Sequence, residues 1–150
     1  MKAIADQFRA ALAHQHLGEC AYRRGDRAQA KAHLRAALKY FYVQSSATFR
    51  AADSMRLFGR LLVEEDHRQA GLELLFFALK QAEERDLVHV EARTRVALAE
   101  TLLEGPGLGE HEVKQHLEAA SALAEKHRYQ DISRRVAQLR ETMRQSVLES

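Results

Sequence analysis

The chain has no tryptophan, no asparagine, one cysteine (Cys20) and one proline (Pro106). A single cysteine closes no intrachain disulfide and builds no multi-thiolate metal site. One proline and seven glycines in 150 residues are too few turn formers for a sandwich or barrel of short strands. Charge of one sign is not in excess. The 23 Lys and Arg against 21 Asp and Glu leave a formal +2, too little for the field on which nucleic-acid binding draws. Long apolar runs are missing as well, since the stretch Leu74–Leu79 is far short of the ~20 residues that cross a bilayer. Lys2, Asp6 and Arg9 interrupt any export-type segment near the start. These absences predict a soluble cytoplasmic protein with no membrane partner. The excess of Arg over Lys and the abundance of Ala point to a GC-rich, bacterial coding sequence.

What the chain does have is helix formers. Apolar residues make up 46% and charged residues 29%, enough for one core, and residues 1–150 read as a single domain. Ala, Leu, Glu, Arg, Gln and Lys dominate, with apolar positions recurring every three or four residues. Turn signals at Arg24-Gly25-Asp26, Gln44-Ser45-Ser46, Glu65-Asp66-His67, Arg85-Asp86, Gly105–Gly109 and His127-Arg128-Tyr129 divide this pattern. Seven helices are expected, at roughly 4–23, 27–43, 47–64, 68–84, 88–104, 110–126 and 131–147. Connections this short make neighbouring helices antiparallel.

The sequence also repeats. The shift that carries Phe8-Arg9-Ala10-Ala11 onto Phe49-Arg50-Ala51-Ala52 also carries Gly18 onto Gly59, and Ala37-Leu38-Lys39 onto Ala78-Leu79-Lys80. In a third copy Leu98-Ala99 answers Phe58-Gly59, and Leu117 and Ala120 answer Leu75 and Ala78. The second of these steps is longer than the first by a two-residue insertion, and the insertion falls in the glycine-rich loop. The repeating unit is a helix pair, with units near 4–43, 47–84 and 88–126 and a seventh helix at 131–147. In that last helix Ile132, Val136, Leu139, Met143 and Val147 form one apolar stripe, suited to capping the final pair.

Leu17-Gly18, Ala21-Tyr22, Gly25-Asp26, Ala30, Leu34 and Ala37-Leu38 together resemble the tetratricopeptide repeat pattern. Phe58-Gly59, Leu62, Gly71, Leu75 and Ala78-Leu79 resemble a second unit, and Leu98-Ala99, Leu102, Val113, Leu117 and Ala120 a third. With a period of about 40–42, the units are similar to the extended repeats of kinesin-light-chain-like and bacterial signalling proteins. The resemblance implies an all-α, right-handed solenoid of three antiparallel helix pairs plus a capping helix. It also implies a protein-binding concave face lined by the first helix of each pair.

Chemistry-bearing motifs fail on spacing. His111 and His116 lie five apart, about 140° round a helix, where a zinc-protease pair needs four. Glu64 and His67 make one Glu-x-x-His where a di-iron bundle needs two. His14 and His16, two apart, point to different faces. The loop at 105–109 lacks the Gly-Lys-Ser/Thr ending of a phosphate cradle, and Glu110 follows it. Cys20 reads as a small packed hydrophobe. Tyr40-Phe41-Tyr42 and Phe76-Phe77 read as packing between adjacent units. No catalytic residue, metal, cofactor or small-molecule substrate is expected.

A helical wheel of the first helix puts Ala10, Ala13, Leu17 and Ala21 toward its partner. It puts Leu12, Gln15, His16, Glu19, Tyr22 and Arg23 on the opposite, binding side. The corresponding residues are Asp53, Arg56, Leu57 and Arg60 on the third helix and Arg93, Glu100 and Leu103 on the fifth. Charges there nearly cancel. Without Asn, the carboxylate clamp of chaperone-binding tetratricopeptide domains cannot form in its usual way. The function expected is a non-enzymatic adaptor that binds a peptide or helix of a partner protein. Leu12, Tyr22, Leu57 and Leu103 would be its anchors, with Arg56 and Arg60 orienting acidic groups. One alternative is contact with nucleic acid or an acidic partner through Arg128, Arg134, Arg135, Arg140 and Arg144. The other is a self-associating scaffold or homo-oligomer built on Phe8, Val147 and Leu148.

Overall fold

A computed structural model describes residues 2–41, 48–105 and 109–149. Among these are seven helices and no strand: α1 (Lys2–Arg24), α2 (Arg27–Phe41), α3 (Thr48–Glu64), α4 (Arg68–Glu84), α5 (Val88–Glu104), α6 (Glu110–His127) and α7 (Gln130–Glu149). Each lies within a few residues of its expected place. The turn at Gln44-Ser45-Ser46, the residues Tyr42 and Pro106–Leu108, and the side chain of Val147 lie outside the described residues. No described helix is long and apolar enough to cross a membrane.

Four of the helices, α1, α3, α4 and α6, stop for a shared reason. The amides of Gly25 and Asp26 donate to the carbonyls of Tyr22 and Ala21 at 3.0 and 2.9 Å, closing α1 with a left-handed residue, Gly25, at φ 81°. The same pair of bonds ends α3 at Asp66 (φ 67°) and α4 at Asp86 (φ 54°), and Arg128 (φ 60°) closes α6. Asp26 then starts α2, its Oδ1 accepting the Gln29 amide at 3.2 Å.

Two compact units divide the chain, Met1–Gln81 and Ala82–Ser150. In the first, α1 and α2 run antiparallel, with Phe8 against Phe41 at one end and Gly18 against Leu34 further along. A Cβ on Gly18 would stand 2.8 Å from Leu34 Cγ, and one on Gly59 would stand 2.9 Å from Leu75 Cγ. Leu34 stands as far beyond Gly18 in the chain as Leu75 does beyond Gly59. The sequence repeat thus reproduces the same close contact in α1/α2 and α3/α4. Gly71 tightens the second crossing, since its Cβ would meet the Gly59 carbonyl oxygen at 2.6 Å. Two apolar clusters fill this unit, one of Ala21, Ala30, Leu34, Leu57 and Leu61, the other around Phe41, Met55 and Ala78.

The second unit has one core. Ala92, Val96 and Ala99 of α5 meet Val113, Leu117, Ala120 and Ala124 of α6 and Ile132, Val136 and Leu139 of α7. Met143 packs against the edge. The described part of the expected α7 stripe is therefore core.

The wheel of α1 is turned from its expected setting. Ala11, Gln15, Gly18 and Ala21 face inward, while Ala10, Ala13 and Leu17 (50% exposed) face out. Cys20 is exposed rather than packed. Phe76 and Phe77 are 44% and 40% exposed, not buried between units.

Candidate functional site

The α1–α3 side of the first unit carries most of the residues expected to bind a partner. Leu12 and Tyr22 are half-buried, and His16 and Arg23 are exposed. Arg23 pairs with Glu19 at 2.8 Å. Arg56 and Asp53, one turn apart on α3, form a partly buried pair, with Nη2 and Nε 3.0 and 3.2 Å from Oδ1. Glu64 is the hub beside them. Its Oε1 accepts from the Tyr22 hydroxyl at 3.0 Å and lies 4.0 Å from Arg60, and its Oε2 lies 3.3 Å from Arg27. Burial pushes the Tyr22 hydroxyl above its ordinary value of 10.0; Arg60 opposes that shift and Glu64 adds to it. Lys31 of α2 holds Glu65 at 2.9 Å, and that hydrogen bond keeps the carboxyl below the usual range.

Three expected residues are not available on this surface. Leu57 is buried with Ala21 and Leu61, so it is core and not an anchor. Gln15 is buried, donating to the Arg50 carbonyl at 3.1 Å and to Ser54 Oγ at 2.9 Å, so it ties α1 to α3. Arg60 is 7% exposed. The cause is common to all three. The α1 and α3 faces meet each other closely, and the wheel assigned that contact to solvent.

In the second unit Arg93, Glu100 and Leu103 are half-buried, and Leu103 packs on the core. Glu100 holds Arg135 of α7 at 3.4 Å, and Arg144 pairs with Glu141 at 3.6 Å. Two of the five arginines counted as a basic patch are thus paired with carboxylates, and Arg134, Arg140 and Arg128 stay exposed. Between α6 and α7 an open groove of about 720 Å³ is lined by Leu117, Met143 and Leu148, with Glu110, Lys114 and Arg140 on its rim.

A polar contact escaped the sequence reading. His14 of α1 and His33 of α2 face each other with 3.0 Å between Nδ1 atoms. The repeat register was the signal that would have found it. The positions matching His14 and His33 are Met55 and Leu74 in the second pair, and Arg95 and His116 in the third. Arg95 lies 3.3 Å from His116 there, and it also holds Glu91 at 3.0 Å and Glu83 at 3.2 Å. Burial, then the Arg95 charge, holds the His116 imidazole below its ordinary value of 6.5. Among the described residues no three His, Cys, Asp or Glu side chains gather as metal ligands.

Comparison with protein-family models, curated proteins and solved structures gives no match.

Proposed function

We propose that this chain is a non-enzymatic protein-interaction module of the tetratricopeptide kind, its three extended helix pairs and capping helix forming a right-handed solenoid. It binds a peptide or helix of a partner protein through the α1–α3 face. The observation that carries this reading is the recurrence of one contact, Gly18 on Leu34 and Gly59 on Leu75, in step with the sequence repeat. Repeats of this sort have extended surfaces in place of catalytic pockets. Fold analogy supplies the function class, and the surface supplies the residues. Leu12 and Tyr22 offer half-buried apolar contact, and Arg56, held by Asp53, is the cation an acidic group of the partner would compete for.

The test is a partner captured from the native organism, reduced to its binding peptide and titrated against variants. Arg56→Ala should weaken binding at least about tenfold, which is roughly 1.4 kcal/mol. Arg134→Ala with Arg140→Ala should leave it unchanged. The reverse pattern moves the binding surface to α7 and favours an acidic partner or nucleic acid, which strong salt dependence would confirm.

A further inference from the structure

We propose that His14 and His33 form a bis-imidazole site for zinc(II) or a similar divalent transition ion, which staples α1 to α2. The two Nδ1 atoms stand 3.0 Å apart, with ring centroids at 5.2 Å and planes inclined by 33°. Without metal, one Nδ1–H donates to the other Nδ1, so the two rings hold different tautomers. Two imidazole nitrogens bound to tetrahedral zinc at about 2.0–2.1 Å lie roughly 3.3 Å from each other. The pair is a few tenths of an ångström short of that spacing, a gap that small side-chain rotations close. Zinc displaces the shared proton from between the rings, and that proton moves to Nε2 of its own ring. A neutral pair therefore binds without net proton release.

The backbone explains why the rings meet. Gly18 lies one turn beyond His14, Leu34 follows His33 directly, and the Gly18–Leu34 contact sets the distance between the helices. Both donor atoms thus sit on rigid elements. Packing alone does not ask for imidazoles here. In the second pair the equivalent residues, Met55 and Leu74, belong to an apolar cluster. In the third, Arg95 brings a fixed cation to the same place. The first pair alone puts a metal-binding side chain at both positions.

No third protein ligand joins the two rings among the described residues, so water or a small anion completes the coordination sphere. Room exists for it. A cleft of about 480 Å³ opens beside His14, with Ala10 and Ala36 in its walls and Gln7, Lys39 and Tyr40 at its polar edge. An open site of this kind exchanges its ion more readily than a closed four-ligand one.

His16 and Cys20, both exposed and four apart on α1, are a rival pair. The experiment therefore starts from His16→Ala with Cys20→Ser. Zinc titrated into this chain by calorimetry should fill one strongest site per molecule and raise the melting temperature. Adding His14→Met with His33→Leu, the apolar pair of the second repeat, keeps the packing. It should weaken that site at least tenfold and remove the thermal shift. Nitrogen–proton spectra should show both rings as Nε2–H tautomers once zinc is present. Unchanged affinity in the Met/Leu variant, or His14 and His33 resonances that excess zinc does not move, would overturn the proposal.

Discussion

At the scale of single residues, two side chains carry a conformational or electrostatic cost that can be measured. Arg128 closes α6 at φ 60°, a left-handed conformation that costs a residue with a Cβ about 1 kcal/mol or more. Its side chain is exposed, so little is lost with it. Arg128→Gly should raise stability by up to about 1 kcal/mol, less the added entropy of glycine in the unfolded chain. A lower melting temperature for the variant would show that the side chain holds something more. His116 carries the second cost. Its folded-state pKa lies below that of the unfolded chain, so the unfolded state takes up the proton first as pH falls. Its contribution is complete above the ordinary value of 6.5 and is lost as pH drops through the depressed one. Between near-neutral and mildly acidic buffer, urea midpoints should therefore fall less in His116→Gln than in the native chain. Equal losses in the two would refute the assignment.

At the scale of helices, glycine sets the geometry. A methyl at Gly71 would meet a backbone oxygen, which cannot swing aside, whereas one at Gly18 would press on the Leu34 side chain. Overpacking of this sort costs about 1–3 kcal/mol, against at most about 1 kcal/mol gained in helix propensity. Gly71→Ala should therefore destabilise, and by more than Gly18→Ala. A stabilised Gly71→Ala in denaturant melts would mean that α3 and α4 do not cross there. The helix ends and the equivalence of Gly18 with Gly59 were legible because turn residues and small residues mark them directly. The rotation of α1 was not. Its inward stripe consists of Ala11, Gln15, Gly18 and Ala21, which offers almost no hydropathy contrast, and the large apolar residue nearest to Gly18, Leu17, lies outside it. The wheel followed Leu17. It therefore missed that close approach, and not hydrophobicity, selects the face, and with it the burial of Gln15, Leu57 and Arg60 and the meeting of His14 with His33.

At the scale of the whole molecule, the chain divides into two compact units, each with apolar clusters of its own. Loosening one pair should stay local. In native-state hydrogen exchange, Gly18→Ala should lower the protection of α1 and α2 amides and leave the α6 and α7 amides as they were. A uniform loss across all seven helices would instead make the chain one cooperative block. The constant register of the first two pairs also bears on how the gene tolerates change in length. Excising one full period anywhere between Gly18 and Leu75, for example the codons of residues 25–65, joins two pairs at matching points and again sets a leucine at the native distance from Gly18. Where the junction lies inside a helix, an excision one codon longer or shorter turns the residues beyond it by about 100° and sets that glycine against the wrong face. At a turn the connection takes up the difference, as the glycine-rich loop does with its two extra residues. Deletion or duplication that joins helix to helix in the first two pairs is therefore tolerated in steps of one period, and lengths between are confined to the connections.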